Sequence, residues 1–219
     1  MDFLLARLPQ DRAVGMSISG LVKGERREAF PQIEKRLKKI PAGKLVAWVL
    51  GPGGLSYHLS LPNTLGRQTI DRVIKPSRPI EEILPREHLE LKRMLEASGR
   101  PHELHVMDLL PKNIELAREV MEQNSLEANN VHYSVGNIAE SLPAKRPHII
   151  SCHNVMFYMG PSVARETLSS LFESLHPGGM LSIAKNDAQV IGEAEVRKIV
   201  GREAKIEPHK SVLLITKPK

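Results

Sequence analysis

The chain has 219 residues, 41% apolar and 26% charged, an ordinary globular balance with room for one α/β domain and a short extension. Its single cysteine, Cys152, excludes an intramolecular disulfide and a cysteine-based metal cluster, and four Phe, three Tyr and one Trp leave the core to Leu, Ile, Val and Met. The formal charge of +6 is concentrated in residues 1–44, where ten Lys and Arg face five Asp and Glu; this suits an acidic partner or nucleic acid, though a solvated helix face is the simpler reading.

Residues 1–24 show weak periodicity and read as an arm or short helix. From Glu25 to Ile40, Phe30, Ile33, Leu37 and Ile40 recur at helical spacing while Lys35, Arg36, Lys38 and Lys39 cover the other side, and Pro41-Ala42-Gly43 stops the helix. Leu45–Leu50 is a continuous apolar run closed by Gly51-Pro52-Gly53-Gly54, the pattern of a strand buried on both faces. The stretch 62–100 is irregular and proline-containing, with a helix expected around Glu87–Ala97; its length suits an insert or cap. Leu104–Asp108 reads as a strand ending in an acid, and Pro111 opens a helix through about Gln123. Val131–Val135 and Pro147–Cys152 are further strands, Ser162–Leu175 a helix, and His176-Pro177-Gly178-Gly179 a sharp turn before the strand Met180–Ala184. Ala188–Val200 is predicted helical, and Lys205–Glu207 with Val212–Thr216 a closing hairpin.

Alternating strands and helices with buried strands imply one α/β domain over residues 45–219. Its seven-stranded Rossmann-like sheet is mostly parallel, with a C-terminal antiparallel hairpin and helices on both faces. Residues 1–44 form a basic extension. Ligands bind such sheets beyond the carboxyl ends of the strands, where strand order reverses, so the loops after Leu50, Asp108, Val135 and Cys152 matter most. The nine histidines show no metal-ligand spacing, and no metal is expected. No apolar run reaches the length of a membrane span, and the first residues lack the form of a signal peptide; the expectation is a soluble cytoplasmic protein with no membrane partner.

The same loops carry a resemblance. Gly51-Pro52-Gly53-Gly54, the strand-ending Asp108, Gly136-Asn137-Ile138, Ile150–Tyr158 and Leu175-His176-Pro177-Gly178-Gly179-Met180-Leu181 follow in the order of the class I S-adenosylmethionine-dependent methyltransferases. Residues 150–158 are most similar to the fourth-strand motif of chemotaxis-receptor methyltransferases. The resemblance covers about three quarters of the chain. It implies S-adenosyl-L-methionine as cofactor, with Gly51, Gly53 and Gly54 giving bare backbone and Asp108, beside Leu109, accepting from the ribose hydroxyls. It further implies that Asn137 and Ile138 flank the adenine, that Asn154 and Val155 touch the cofactor, and that His153 and Tyr158 stand where acceptor meets methyl group. An NAD-binding fold is disfavoured, because its acid follows the glycines after about 20 residues.

Each residue also has a plainer reading. Asp108 could cap the helix at Pro111, although a partly exposed carboxylate is expected at that strand end. Asn137 could be a turn former, Tyr158 could pack under the following helix, and His153 could be a solvated loop residue. Cys152 reads as a small buried apolar residue rather than a nucleophile. His58, next to Tyr57, reads as ordinary helix packing. Ala47 and Val49 stand where the family has an acid and its first glycine. The leading expectation is a methyltransferase acting on a small molecule or a protein side chain. A binding domain without catalysis is the second, and a nucleic-acid methyltransferase, with few aromatics for stacking bases, the third.

Overall fold

The computed structural model of the protein describes residues 25–41, 43–52, 87–124, 126 and 129–219. The expected arm at 1–24, the part of the irregular stretch from 62 to 86, and Gly53, Gly54, Tyr57 and His58 lie outside the described residues.

The apolar run Leu45–Leu50 forms strand β1, and all six residues are buried. Successive side chains enter opposite faces. Val46, Trp48 and Leu50 join one core, and Leu45, Ala47 and Val49 the other. Such a strand needs cover on both sides. On the second face helices α1 (Glu25–Leu37), α2 (Glu87–Ala97) and α3 (Pro111–Gln123) supply it through Ala29, Phe30, Ile33, Leu37, Leu91, Leu95, Ile114 and Ala117. On the first face the cover is α4 (Pro161–Ser174), α5 (Lys185–Ile191) and α6 (Glu193–Val200).

The remaining strands are β2 (His102–Asp108), β3 (Val131–Val135), β4 (Ile149–Cys152), β5 (Met180–Ala184), β6 (Lys205–Pro208) and β7 (Val212–Thr216). Their order is β3-β2-β1-β4-β5-β7-β6. Strands β1 to β5 pair in parallel, and β7 runs antiparallel to both β5 and β6. The predicted sheet and its closing hairpin are therefore present. Strand order reverses between β1 and β4, and the described helices that follow them, α2 and α4, lie on opposite faces of the sheet, the arrangement in which such folds bind ligands.

The structure differs from the sequence reading in three places. The helix predicted over Ala188–Val200 is two helices, starting earlier at Lys185 and broken at Gly192, whose φ of +90° no helix accommodates. Strand β2 begins at His102, two residues before the expected start. Strand β4 begins at Ile149 rather than Pro147. There the Val46 N–H donates to Nδ1 of the His148 ring at 3.2 Å, in place of a ladder carbonyl. Among the described residues no helix is long and apolar enough to cross a membrane.

Candidate functional site

The exit of β1 is set by Gly51. Its N–H donates to Met107 O at 2.8 Å, and its φ of +63° disfavours any residue with a Cβ. A Cβ there would also run into the Val155 side chain, which comes from the loop after β4. The loops from the two strands that flank the reversal thus meet at one bare backbone position.

The exit of β2 is set by Asp108. The carboxylate is only 6% exposed, which corrects the expectation of a partly exposed group. The reason is local. Oδ1 accepts the Leu110 N–H at 2.9 Å, directly before Pro111 opens α3, and Leu110 as N-cap has no polar side chain of its own. Helix-start bonding is therefore one task of this carboxylate. On either side of it the surface is apolar. Leu109 is 48% exposed and Val135, the register partner of Asp108 on β3, is 53% exposed. Gly136 N continues the ladder to Asp108 O at 2.9 Å. Asn137 then makes the turn, its Oδ1 accepting from Ala139 N at 3.1 Å and its Nδ2 donating to Glu140 at 2.9 Å. Ile138 turns its side chain into the core.

The exit of β4 is built on buried polar groups. His153 is 9% exposed, which corrects the reading of a solvated loop residue. Its Nε2 lies 2.7 Å from Ser182 Oγ and its Nδ1 3.0 Å from Glu87 Oε1, the latter outside hydrogen-bond alignment. Ser151 donates to the same Glu87 oxygen. Each ring nitrogen thus has a polar side chain beside it. The sequence Glu87–His153–Ser182 has the connectivity of a nucleophile relay, but Ser182 is fully buried within β5, where no substrate reaches it.

Asp187, also fully buried, fixes the loop itself. Oδ2 accepts from Asn154 N at 2.8 Å and from Ala184 N at 3.2 Å, and Oδ1 accepts from Phe157 N at 2.7 Å. Burial pushes its pKa up to about 7, against the three N–H donors and the charge of His153. Held in this way, Asn154 adopts a φ of +56° and its side-chain oxygen accepts from Asn186 at 3.3 Å. Met156–Tyr158 forms a 3-10 turn in which Met156 is buried, while Phe157 and a half-buried Tyr158 pack edge to face at 5.5 Å. Cys152 is sealed as expected, its thiol pKa driven up by burial and by the nearby Asp187 and Glu87. Glu87, Ser151, Ser182 and Asp187 are not among the site residues expected from the sequence. For Asp187 a signal existed, an acid three residues past the end of β5, where a first helical turn favours one.

At the opposite, amino edge of the sheet a cavity of about 260 Å³ is lined by Arg36, Lys39, Lys44, His148, His176 and Lys219 among others, with no acid in its wall. It is remote from the loops just described.

No protein-family model matches the chain, and no curated protein matches it. Solved structures do. The chain is similar to the N-methyltransferase NodS from Bradyrhizobium japonicum WM9, with a TM-score of 0.53 and 14% identity over 88% of this chain and 96% of that one. The same enzyme in complex with S-adenosyl-L-homocysteine gives 0.52 and 14% over 88% and 87%. The CMeT domain of the citrinin polyketide synthase gives 0.55 and 14% over 88% of this chain and 52% of that one. An rRNA methylase from Streptococcus thermophilus gives 0.52 and 9% over 86% and 95%. At such identities the likeness is one of fold, and the fold is the Rossmann-like one of these methyltransferases.

Proposed function

We propose that the chain is an S-adenosylmethionine-dependent methyltransferase acting on a small molecule or a protein side chain. The observation that carries this reading is the pairing of a side-chain-free turn at Gly51 with the buried carboxylate of Asp108 on adjacent strands beside the strand-order reversal.

The residues present fit the cofactor. A Cβ at Gly51 would close the space between the β1 and β4 loops, so the glycine keeps that approach open. Asp108 ends β2 next to this turn, and a carboxylate is a good acceptor for adjacent ribose hydroxyls. The exposed apolar Leu109 and Val135 offer a wall for a flat heterocycle. Gly51, Gly53 and Gly54 would line the amino-acid part, Asp108 with Leu109 the ribose, Asn137 and the backbone of Ile138 the adenine, and Asn154 and Val155 the side facing the acceptor. When bound, the cofactor supplies a methyl group already activated by its sulfonium, so the chain has to provide orientation and exclusion of water. Tyr158, on the turn after β4, would border the acceptor. His153, bonded to Ser182 and 3.0 Å from Glu87, is a positioning residue. The likeness to chemotaxis-receptor methyltransferases rests on residues 150–158 and names no substrate.

A second reading is a degenerate methyltransferase-like domain that binds a ligand or partner without catalysis. It is favoured by Ala47 and Val49, both fully buried in β1, where the resembled family has an acid and a glycine. Titration calorimetry with S-adenosylmethionine and S-adenosylhomocysteine, followed by transfer of a labelled methyl group to small-molecule, protein and RNA fractions, separates the readings. Stoichiometric binding with label in the first two fractions is expected. Absence of binding, or binding without transfer, overturns the first reading and selects the second, and label in RNA names another acceptor class.

A further inference from the structure

Three side chains that the sequence scatters meet on the β2–β3 part of the sheet. Glu103 and His105 stand two residues apart on β2 and so project from one face, and His132 is the register partner of His105 on β3. One ligand atom from each lies within 4.8 Å of the others. Glu103 Oε2 and His105 Nε2 face each other at 3.7 Å, too far for a hydrogen bond, and both atoms are buried without a hydrogen-bond partner. Two buried polar atoms in that state destabilise a fold unless something joins them.

We propose that Glu103, His105 and His132 bind a divalent transition-metal ion, with zinc the best match. Two imidazole nitrogens and a carboxylate oxygen are a zinc donor set. Ligands held about 2.0–2.2 Å from a tetrahedral ion lie about 3.4 Å from one another, close to the spacing of the two unpartnered atoms. The second Glu103 oxygen is anchored by Lys44 and Lys145, each at 2.6 Å, which keeps the carboxylate ionised and oriented. The His105 and His132 rings stack with centroids 4.7 Å apart and planes at 27°, so His132 must turn for both lone pairs to converge. Its ring is exposed and turns readily. A water completes the coordination from the solvent side. The two ammonium groups oppose an added cation, so the affinity is micromolar rather than that of a closed cysteine site.

The bound ion would tie edge strand β3 to β2, with His105 three residues, about 10 Å, before Asp108 along the strand. The proposal stands apart from the methyl-transfer reading. Its test is a titration of the chelator-treated full chain with Co²⁺, followed by visible absorption, and with Zn²⁺, followed by calorimetry. One equivalent is expected to bind. His132→Ala and His105→Ala should each weaken binding about tenfold or more. His209→Ala, remote on the β6–β7 turn, should leave it unchanged. His132 is exposed, so its substitution tests the site without disturbing the core. Absence of saturable binding, or His132→Ala binding equal to that of the unaltered chain, overturns the site.

Discussion

At the carboxyl end of the sheet, Asp108 and Asp187 direct their carboxylates onto backbone N–H groups that the loops leave without ladder partners. At the amino end, Arg36, Lys39, Lys44 and Lys219 surround a cavity with no acid, together with His148 and His176, whose rings stack at 4.2 Å. Burial acts on both ends in the same way and with opposite outcomes. It raises the pKa of Asp187 to about 7 and lowers that of His148 to about 4, the latter helped by His176 and Arg100. One end holds the described loops after β2 and β4 through internal hydrogen bonds. The other gathers cationic groups around its cavity, of which Lys44 pairs with Glu103 at 2.6 Å.

The largest expected effect tests whether the carboxyl end is held in this way. Asp187→Ala takes the acceptor from three N–H groups, the part-buried ones of Asn154 and Phe157 and the buried one of Ala184, and should cost on the order of 3–5 kcal/mol in a urea unfolding titration. A loss below about 1 kcal/mol would mean that the loop after β4 is held by something else.

Next in size is Asp108→Ala. Affinity for S-adenosylmethionine should fall about ten- to a hundredfold, with a stability loss of about 0.5–2 kcal/mol from the freed Leu110 N–H. Because the carboxylate demonstrably serves the helix start, the stability loss alone decides nothing. Unchanged affinity in calorimetry would sink the ribose assignment.

The smallest effect sharpens the contrast of charge. Asp187, faced by His153, Glu87 and Cys152, has a folded pKa above its ordinary 3.8, so the folded state holds the extra proton between about pH 4 and about 7. Its contribution to stability therefore falls as pH rises through that window. His148, faced by His176 and Arg100, has a folded pKa below its ordinary 6.5, so its contribution falls as pH drops from about 6.5 to about 4. The two slopes oppose each other in the unaltered protein. Asp187→Asn should steepen the loss of stability on acidification, and His148→Gln should flatten it. Equal pH profiles in both variants would show that neither group titrates as described.

The strands were legible because a run such as Leu45–Leu50, buried on both faces, leaves an unambiguous apolar signature. The loops of the site were legible as glycines and acids at strand ends. What they hold on to was not. Asp187 lay hidden because the helix was read from Ala188, past its true start at Lys185, and the pattern ran through Gly192 without a break. Glu87 reaches His153 and Ser151 across 64 or more residues of chain, a contact no local spacing announces. The same holds for Glu103, His105 and His132, which meet only through the β2–β3 register.

Cys152 gives the molecule a built-in clock. It is the chain's one thiol, fully buried at the end of β4 between β1 and β5, and its raised pKa keeps it protonated. A thiolate-seeking reagent reaches it only when the middle of the sheet comes apart, so the rate of labelling counts those openings one molecule at a time. Anything that clasps the ends of β1 and β4 together should slow that count, whatever its chemical name.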